Sequence, residues 1–461
     1  MSHLKPKTSK TSLRLSVFLL LIAFSFTFNR ANAQGLLNSD SAFKAGTPNA
    51  GRIWGYAFGD FAYKSHADSL SRGGANQYSG IPSPRSMFAF RRIYLGYDYN
   101  ISKKFSAELL LAAEDNFTAG NPPGTSGSLS TGGSTGDLTA NQKLTFYIKN
   151  ANVRWKGIWK GTDLVVGEMS TPSFPGITEK VWSYRSIERT IADIRRTPSY
   201  DLGVALQGVF DPKTKNFGYN LMVGNGTSAK PEADNFKWFY GDIYGYFAHK
   251  HVVVDIYGDY ERLNWTPTWH HARQMWKGFI AWNSAATDKS INPGSGYTIG
   301  VEGFINTLKN DNIATRIAGG ADTLTTTPSG ISIYIHGDIV KDKLRFFARF
   351  DAYNPNNKVD NNTYSKYAGN TGNYNDNSYH TVVNYNPATP TVTYTATGDQ
   401  TYKQDFITAG LDFKPTARVH FMPNVWYNSY KSQIASNKDH DLVWRLTFFF
   451  AFGKNYDNGG F

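Results

Sequence analysis

From Leu442 to Phe452 the chain alternates: Leu442, Trp444, Leu446, Phe448, Phe450 and Phe452 are large and apolar, with Arg445 and Thr447 among the residues between them. A period of two sends one set of side chains to one face of a pleated strand and the other set to the opposite face, whereas a helix would scatter both. Two hairpins show the same device most clearly. Ile93, Leu95, Tyr97 and Tyr99 share a face, a turn spans Asn100 to Lys103, and Phe105, Ala107, Leu109 and Leu111 resume the face, with Arg92, Asp98, Ser106 and Glu108 opposite. Likewise Ile331, Ile333, Ile335 and Ile339 lead through Lys341 and Asp342 to Leu344, Phe346, Ala348 and Phe350, with His336, Asp338, Arg345, Arg349 and Asp351 on the other side.

Applied to the whole chain, the parity rule predicts strands near 51 to 63, 86 to 99, 104 to 116, 143 to 156, 162 to 169, 200 to 210, 216 to 224, 236 to 247, 251 to 262, 273 to 283, 295 to 305, 331 to 340, 343 to 353, 403 to 413, 417 to 430 and 440 to 452. Sixteen such strands without a helical apolar stripe predict an all-β fold: a transmembrane antiparallel up-and-down barrel, apolar toward lipid and polar toward the lumen. Connections near 100, 158, 213, 249, 341 and 415 are short, and those at 64 to 85, 117 to 142, 170 to 199, 306 to 330 and 354 to 402 are long. That asymmetry is expected of a barrel whose short turns and both termini face the periplasm. Between Asn264 and Gly296 the pattern weakens, and a tenth strand there competes with a loop. The last strand is expected to stop at Phe452, leaving a tail to Phe461.

Aromatic residues add to this picture. Trp54, Tyr63, Tyr97, Tyr99, Trp155, Trp238, Tyr240, Tyr260 and Tyr427 fall toward strand ends, where amphipathic rings suit the two membrane interfaces, although any sheet enriches them.

The N-terminus has the layout of an export signal. Lys5, Lys7, Lys10 and Arg14 precede an uncharged, mostly apolar stretch from Leu15 to Phe28, and Ala31-Asn32-Ala33 offers a cleavage site. Residues 1–33 thus read as a signal peptide and 34–461 as one outer-membrane β-barrel domain. The removed segment holds five basic and no acidic residues, so the formal charge falls from +12 to +7. With no cysteine, an exported fold lacks disulfides, and a closed hydrogen-bonded barrel supplies the alternative, since in lipid every backbone group must be satisfied internally.

The long connections are of two kinds. Asn121 to Thr139 is rich in Gly, Ser and Thr, and Asn354 to Thr401 in Asn, Tyr, Thr and Asp, as solvated surface would be. The oxygen donors Asp360, Asn361, Asn362 and Asp376 do not match a calcium loop, and solvation is the simpler reading. The connection 170 to 199 differs. It opens with Pro172 and Pro175, then carries Glu179, Lys180, Arg185, Glu188, Arg189, Asp193, Arg195 and Arg196, interleaved with Val181, Trp182, Ile187, Ile191 and Ile194. Such a segment suits an inward fold against the barrel wall, where it would narrow the pore and bring guanidiniums to it. Basic groups at a constriction favour anions by replacing lost hydration with fixed charge and donors. Arg345 and Arg349, and further Arg92, Arg154 and Arg445, would extend the positive surface along the wall. Pairing with Glu168, Glu188, Asp193, Asp338 and Asp351 is the competing use, in which the same arginines brace loop to wall.

Several stretches together resemble the phosphate-selective porin O and P family, in the form found in Bacteroidota outer membranes. They are Phe90-Arg91-Arg92-Ile93-Tyr94-Leu95-Gly96-Tyr97, Val165-Val166-Gly167-Glu168 leading to Pro172, Tyr184-Arg185-Ser186-Ile187-Glu188-Arg189, Arg196-Thr197-Pro198-Ser199-Tyr200-Asp201-Leu202-Gly203-Val204 and Phe347-Ala348-Arg349-Phe350-Asp351. The resemblance implies a sixteen-stranded homotrimeric barrel in outer-membrane lipid with an inward third loop, passing small anions. By position, Lys180, Arg185, Arg189, Arg195 and Arg196 would belong to the constriction, and Arg345 and Arg349 to the wall.

Other classes find less support. His249 and His251 flank a turn, and His270 and His271 lie in the weak stretch without an acidic partner at metal-binding spacing, so neither a metal nor a cofactor is expected. His420 lacks a nucleophile motif beside it, and no enzyme is expected. The basic residues form no continuous patch for nucleic acid. Two alternatives remain open: a plugged surface-binding or adhesion barrel using the loop 354 to 402, and a sugar-selective porin. The latter needs an aromatic row along the lumen, for which Trp54, Trp182 and Trp426 are candidates, membrane-interface duty being their simpler use.

Overall fold

A computed structural model of the protein describes residues 48–69, 78, 79, 81, 83–114, 145–195, 199–228, 232, 235–265, 270–285, 296–358, 360, 362–369, 383–385, 392–394, 403–431 and 438–456. The export segment, the Gly/Ser/Thr-rich connection 121 to 139, Asn361, Asp376 and Arg196 lie outside the described residues.

Sixteen antiparallel strands close into a barrel: β1 Gly51–His66, β2 Arg85–Asn100, β3 Phe105–Glu114, β4 Tyr147–Trp159, β5 Thr162–Ser170, β6 Tyr200–Val209, β7 Phe217–Gly224, β8 Trp238–Phe247, β9 Val252–Trp265, β10 His270–Asn283, β11 Thr298–Arg316, β12 Ser329–Val340, β13 Leu344–Asn354, β14 Lys403–Thr416, β15 Val419–Lys431 and β16 Asp439–Tyr456. Each pairs with its sequence neighbours, and β1 closes the ring on β16 from Gly51 opposite Tyr456 to His66 opposite Leu442. Closure leaves no sheet edge. The outward faces carry the apolar residues that alternation predicts, among them Leu95, Val166, Ile243, Ile256, Trp276, Ile333, Trp444 and Leu446, all exposed. The opposite parity is polar and lies within: Asp60, Lys64, Lys277, Asp255, Glu302, Arg349, Asp441 and Arg445 are buried.

Two expectations change, and a third is kept. The final strand does not stop at Phe452; it continues to Tyr456, because Lys454 and Asn455 still pair with Ile53 and Arg52. Strand β11 does not end near 305 but runs to Arg316 beyond the barrel wall, where the short strands Ala321–Thr326 and Tyr364–Gly369 add to it. The connections 306 to 330 and 354 to 402 are therefore not plain loops throughout. The weak stretch holds a regular strand, β10, paired with β9 and β11 over most of its length.

At the short-turn end, Asp211 in the turn between β6 and β7 accepts from the Thr214 hydroxyl and from the backbone N–H groups of Phe217 and Asn216, each of the latter at 2.9 Å. These donors favour the ionised carboxylate, led by Thr214, and hold its pKa down at about 2. A folded pKa below the unfolded one gives stability that is complete above the ordinary carboxylate range and lost as pH falls through the folded value. Asp211→Asn should therefore unfold more readily than the parent at pH 7, and thermal unfolding at pH 2 should show the difference shrunken.

Candidate functional site

The connection 171 to 199 enters the lumen. Its base is tied where the Thr171 N–H donates to the Ser199 carbonyl at 3.0 Å. Two short helices follow, α1 Thr178–Trp182 and α2 Ile191–Arg195. The first ends at Ser183, whose left-handed backbone (φ 63°) lets its N–H cap the Glu179 carbonyl at 2.9 Å. The apolar residues interleaved with its charges are what hold the loop inside. Ile177, Val181, Trp182, Tyr184 and Ile187 pack with Val253, Phe279, Tyr334, Phe347 and Met422 of the wall, while Ile191 joins Met169, Phe304 and Tyr353. Burying side chains of this size is worth about 1.5–3 kcal/mol each, and Trp182 is sealed completely, its Nε1–H donating to the Glu188 carbonyl at 2.8 Å.

Charge on the loop is largely met by charge. Arg185 pairs with Glu179 and, at 2.5 Å, with Asp193, and Arg189 approaches Asp193 at 3.7 Å. Arg195 lies over the Tyr353 ring, 3.9 Å from its centroid, and donates to Gln404. Lys180 is half-buried on α1. From the wall, Arg349 grips Asp351, donates to the Arg189 carbonyl and lies 5.3 Å from the Trp182 ring. Arg345 pairs with Asp338 at 2.8 Å and reaches His336 Nδ1 at 3.2 Å. The other nitrogen of His336 donates to the Val181 carbonyl at 3.0 Å, so the ring is a neutral bridge between wall arginine and loop backbone. Glu188 accepts from Trp426 Nε1 at 2.9 Å, and Tyr184 donates to Asp412 at 3.3 Å. Asp412 also lies 2.9 Å from His420. The loop is thereby fastened to β12, β13, β14 and β15.

On the far side lies a small polar pocket lined by Tyr56, Tyr94, Lys149, Tyr200, Phe174, Pro175, Ser199, Glu179 and Arg185. Two basic groups on the strands around it, Arg91 and Lys149, escaped the parity reading, because each sits at a β-bulge, where one extra residue breaks alternation. In β2 the pairing passes from Arg92 opposite Phe58 to Phe90 opposite Gly59, which leaves Arg91 extra, and both arginines turn inward. In β4 the partners step from Asn150 to Ile148, and Lys149 is the added residue. Arg91 then pairs with Asp60 at 2.6 Å, while Arg92 and Lys149 share Glu114, which also accepts from the Tyr94 hydroxyl at 2.6 Å. The available signal was two adjacent polar residues, Arg91-Arg92 and Lys149-Asn150, inside otherwise alternating strands.

Several aromatics also change sides. Trp54, Trp238, Tyr240, Trp182 and Trp426 do not serve the membrane interface; the last four are almost fully buried within the barrel. Trp54 shares the lumen face of β1 with Arg52, and both bond to Asp98. Of the turn histidines, His251 donates to the Asn283 carbonyl at 2.8 Å. Asp360 of the Asn/Asp cluster accepts from the Asn362 N–H at 3.0 Å, as an Asx turn does.

No family model matches the chain, and no curated protein is detectably similar in sequence. Solved structures are similar in fold. The outer membrane channel DcaP of Acinetobacter baumannii superposes with a TM-score of 0.52 at 9% identity, covering 87% of this chain and 97% of that one. An anion-selective porin from Comamonas acidovorans gives 0.49 at 10% identity over 87% and 99%, and OprB of Pseudomonas putida 0.49 at 9% over 88% and 94%. Identity this low speaks to fold alone, and only the first likeness is close enough to do so. The closed barrel and its apolar outer face place the chain in the outer membrane.

Proposed function

We propose that the protein is an outer-membrane porin, a water-filled channel for passive diffusion of small hydrophilic solutes with a mild preference for anions, phosphate-like ones included. The observation that carries this reading is the loop folded across the lumen of a closed sixteen-stranded barrel, with a small polar pocket between it and β1, β2, β4 and β6. The pocket lining carries the basic Lys149 and Arg185 against the single carboxylate of Glu179, so basic groups exceed acidic ones there by one. Positive surplus at a constriction favours anions. Because most of it is engaged in pairs, the preference is mild. The short turns face the periplasm, residues 1–33 direct export, and three barrels associate through their outer faces.

Replacing Arg185 and Arg189 together with Ala tests the selectivity. It leaves Glu179 and Asp193 without their arginines, so the reversal potential across a KCl gradient should move toward the cation side. An unmoved potential would remove this loop from ion choice.

A second reading, passage of sugars, has one specific observation in its favour. Trp54, Tyr56 and Phe58 form a row on the lumen face of β1, with ring centroids 6.3 and 6.4 Å apart and planes within 11° and 9°, and Tyr94 lies 4.6 Å from Tyr56. Flat apolar ring faces with polar tips suit the faces of pyranoses. Under this reading Trp54→Ala slows glucose entry into proteoliposomes in a swelling assay while the entry of a linear amino acid is unchanged.

A further inference from the structure

We propose that His66, Asp439 and His440 form a binding site for a first-row divalent metal ion of the zinc or nickel kind, at the rim of the β1–β16 seam at the long-loop end. The three residues each offer a ligand atom, and these atoms lie within 4.8 Å of one another. His66 Nε2 is 2.8 Å and His440 Nδ1 3.8 Å from Asp439 Oδ1. Ligand atoms around a tetrahedral zinc are roughly 3.4 Å apart, given metal–ligand distances of about 2.0–2.1 Å, so small side-chain rotations bring this set to bonding distance.

A backbone irregularity creates the cluster. Along the seam Lys64 pairs with Val443 and His66 with Leu442, two residues of β1 against one of β16. Without that bulge His66 would share the parity of Lys64, which is buried inside. The extra residue reverses the alternation and turns His66 away from the lumen at the rim, where its ring stacks on His440 at 4.1 Å and 15°. Bulges commonly re-aim a side chain in this way. Tyr427 of β15 packs on the other imidazole, with ring centroids 5.3 Å apart. The carboxylate is already held: the Ser69 N–H donates to Asp439 Oδ2 and the His440 N–H to Oδ1, each at 2.8 Å. A carboxylate has about four lone-pair sites, so two amides orient it and leave capacity facing the imidazoles. The site is also reachable, the His66 and His440 side chains being 45% and 35% exposed. Two imidazole nitrogens with one carboxylate oxygen suit zinc, nickel or copper rather than calcium or magnesium, which call for more oxygen donors. Three protein ligands leave a fourth position for water or a donor from outside. Bound metal would join the first and last strands at the barrel mouth.

The test uses the whole mature protein, without a histidine tag, chelator-treated and then titrated with Zn²⁺ by calorimetry and with Co²⁺ by visible absorption. One saturable equivalent with the intense visible bands of four-coordinate Co²⁺ is expected. Affinity should fall by about ten-fold or more in Asp439→Asn and in His66→Ala with His440→Ala, a loss of the size that even outer-shell changes at metal sites produce. All three side chains sit at the rim, and heat-modifiable gel mobility confirms that the variant barrels are folded. Absence of saturable binding overturns the proposal. So does binding that survives unchanged in the double histidine variant, which would assign the metal to others of the nine histidines that follow residue 33.

Discussion

Excising residues 173–194 and joining the cut ends through a short Gly/Ser linker is expected to raise single-channel conductance severalfold and to abolish the anion preference. The loop fills the centre of the barrel with Trp182, Tyr184, Ile187 and Ile191, carries Arg185 to the polar pocket, and holds Arg189 on the Asp193 that Arg185 also engages. A sixteen-stranded barrel without it encloses a wide aqueous channel. Folding should survive, because closure rests on strand pairing from β1 to β16 and not on the loop. Conductance equal to the parent in a folded variant would mean that the loop does not set the constriction.

The second large effect is expected at Arg349. Its guanidinium answers Asp351, donates to the Arg189 carbonyl and lies near both Trp182 and Phe406, at 3% exposure. Arg349→Ala leaves Asp351 buried without its charge partner and frees the loop from one anchor. Breaking a buried pair in this way costs about 3–5 kcal/mol, whereas replacing both partners with apolar residues of similar volume is often neutral. Urea unfolding in lipid vesicles should therefore show a large loss for Arg349→Ala and a small one for Arg349→Met with Asp351→Leu. Both variants should gate noisily, since each releases the Arg189 carbonyl. Equal stability of parent and single variant would show that the pair is not buried as described.

The contrast between strands and site explains what the sequence disclosed. A strand pairs one face with lipid, so Ile331, Ile333, Phe346 and Phe350 announce their side by hydrophobicity alone, and the positions of the barrel strands follow from parity. Bulges are invisible to that rule, and at Arg91, Lys149 and His66 they decide which way a functional side chain points. The wrongly sided aromatics were recoverable: Trp238 and Tyr240 share parity with Asp242, and Trp426 with Asn424 and Asn428, so a lumen face was written beside each of them. Which carboxylates answer the loop arginines was not recoverable, because Glu179 and Asp193 meet Arg185 through the path of the loop, whereas Asp338 faces Arg345 across a hairpin and Asp351 lies two residues from Arg349 on one strand face. Hydrophobic interleaving between Glu179 and Arg196 did mark the loop as one that needs cover.

The measurement that bears most directly on the channel is single-channel recording of the purified, unmodified protein in planar bilayers under a KCl gradient. Passage beside the pocket of Tyr56, Tyr94, Lys149 and Arg185 predicts discrete conductance steps with a reversal potential displaced modestly to the chloride side. A folded protein that inserts yet gives no steps would contradict it, and would mark the packed loop as a plug in a barrel that binds through its long external loops.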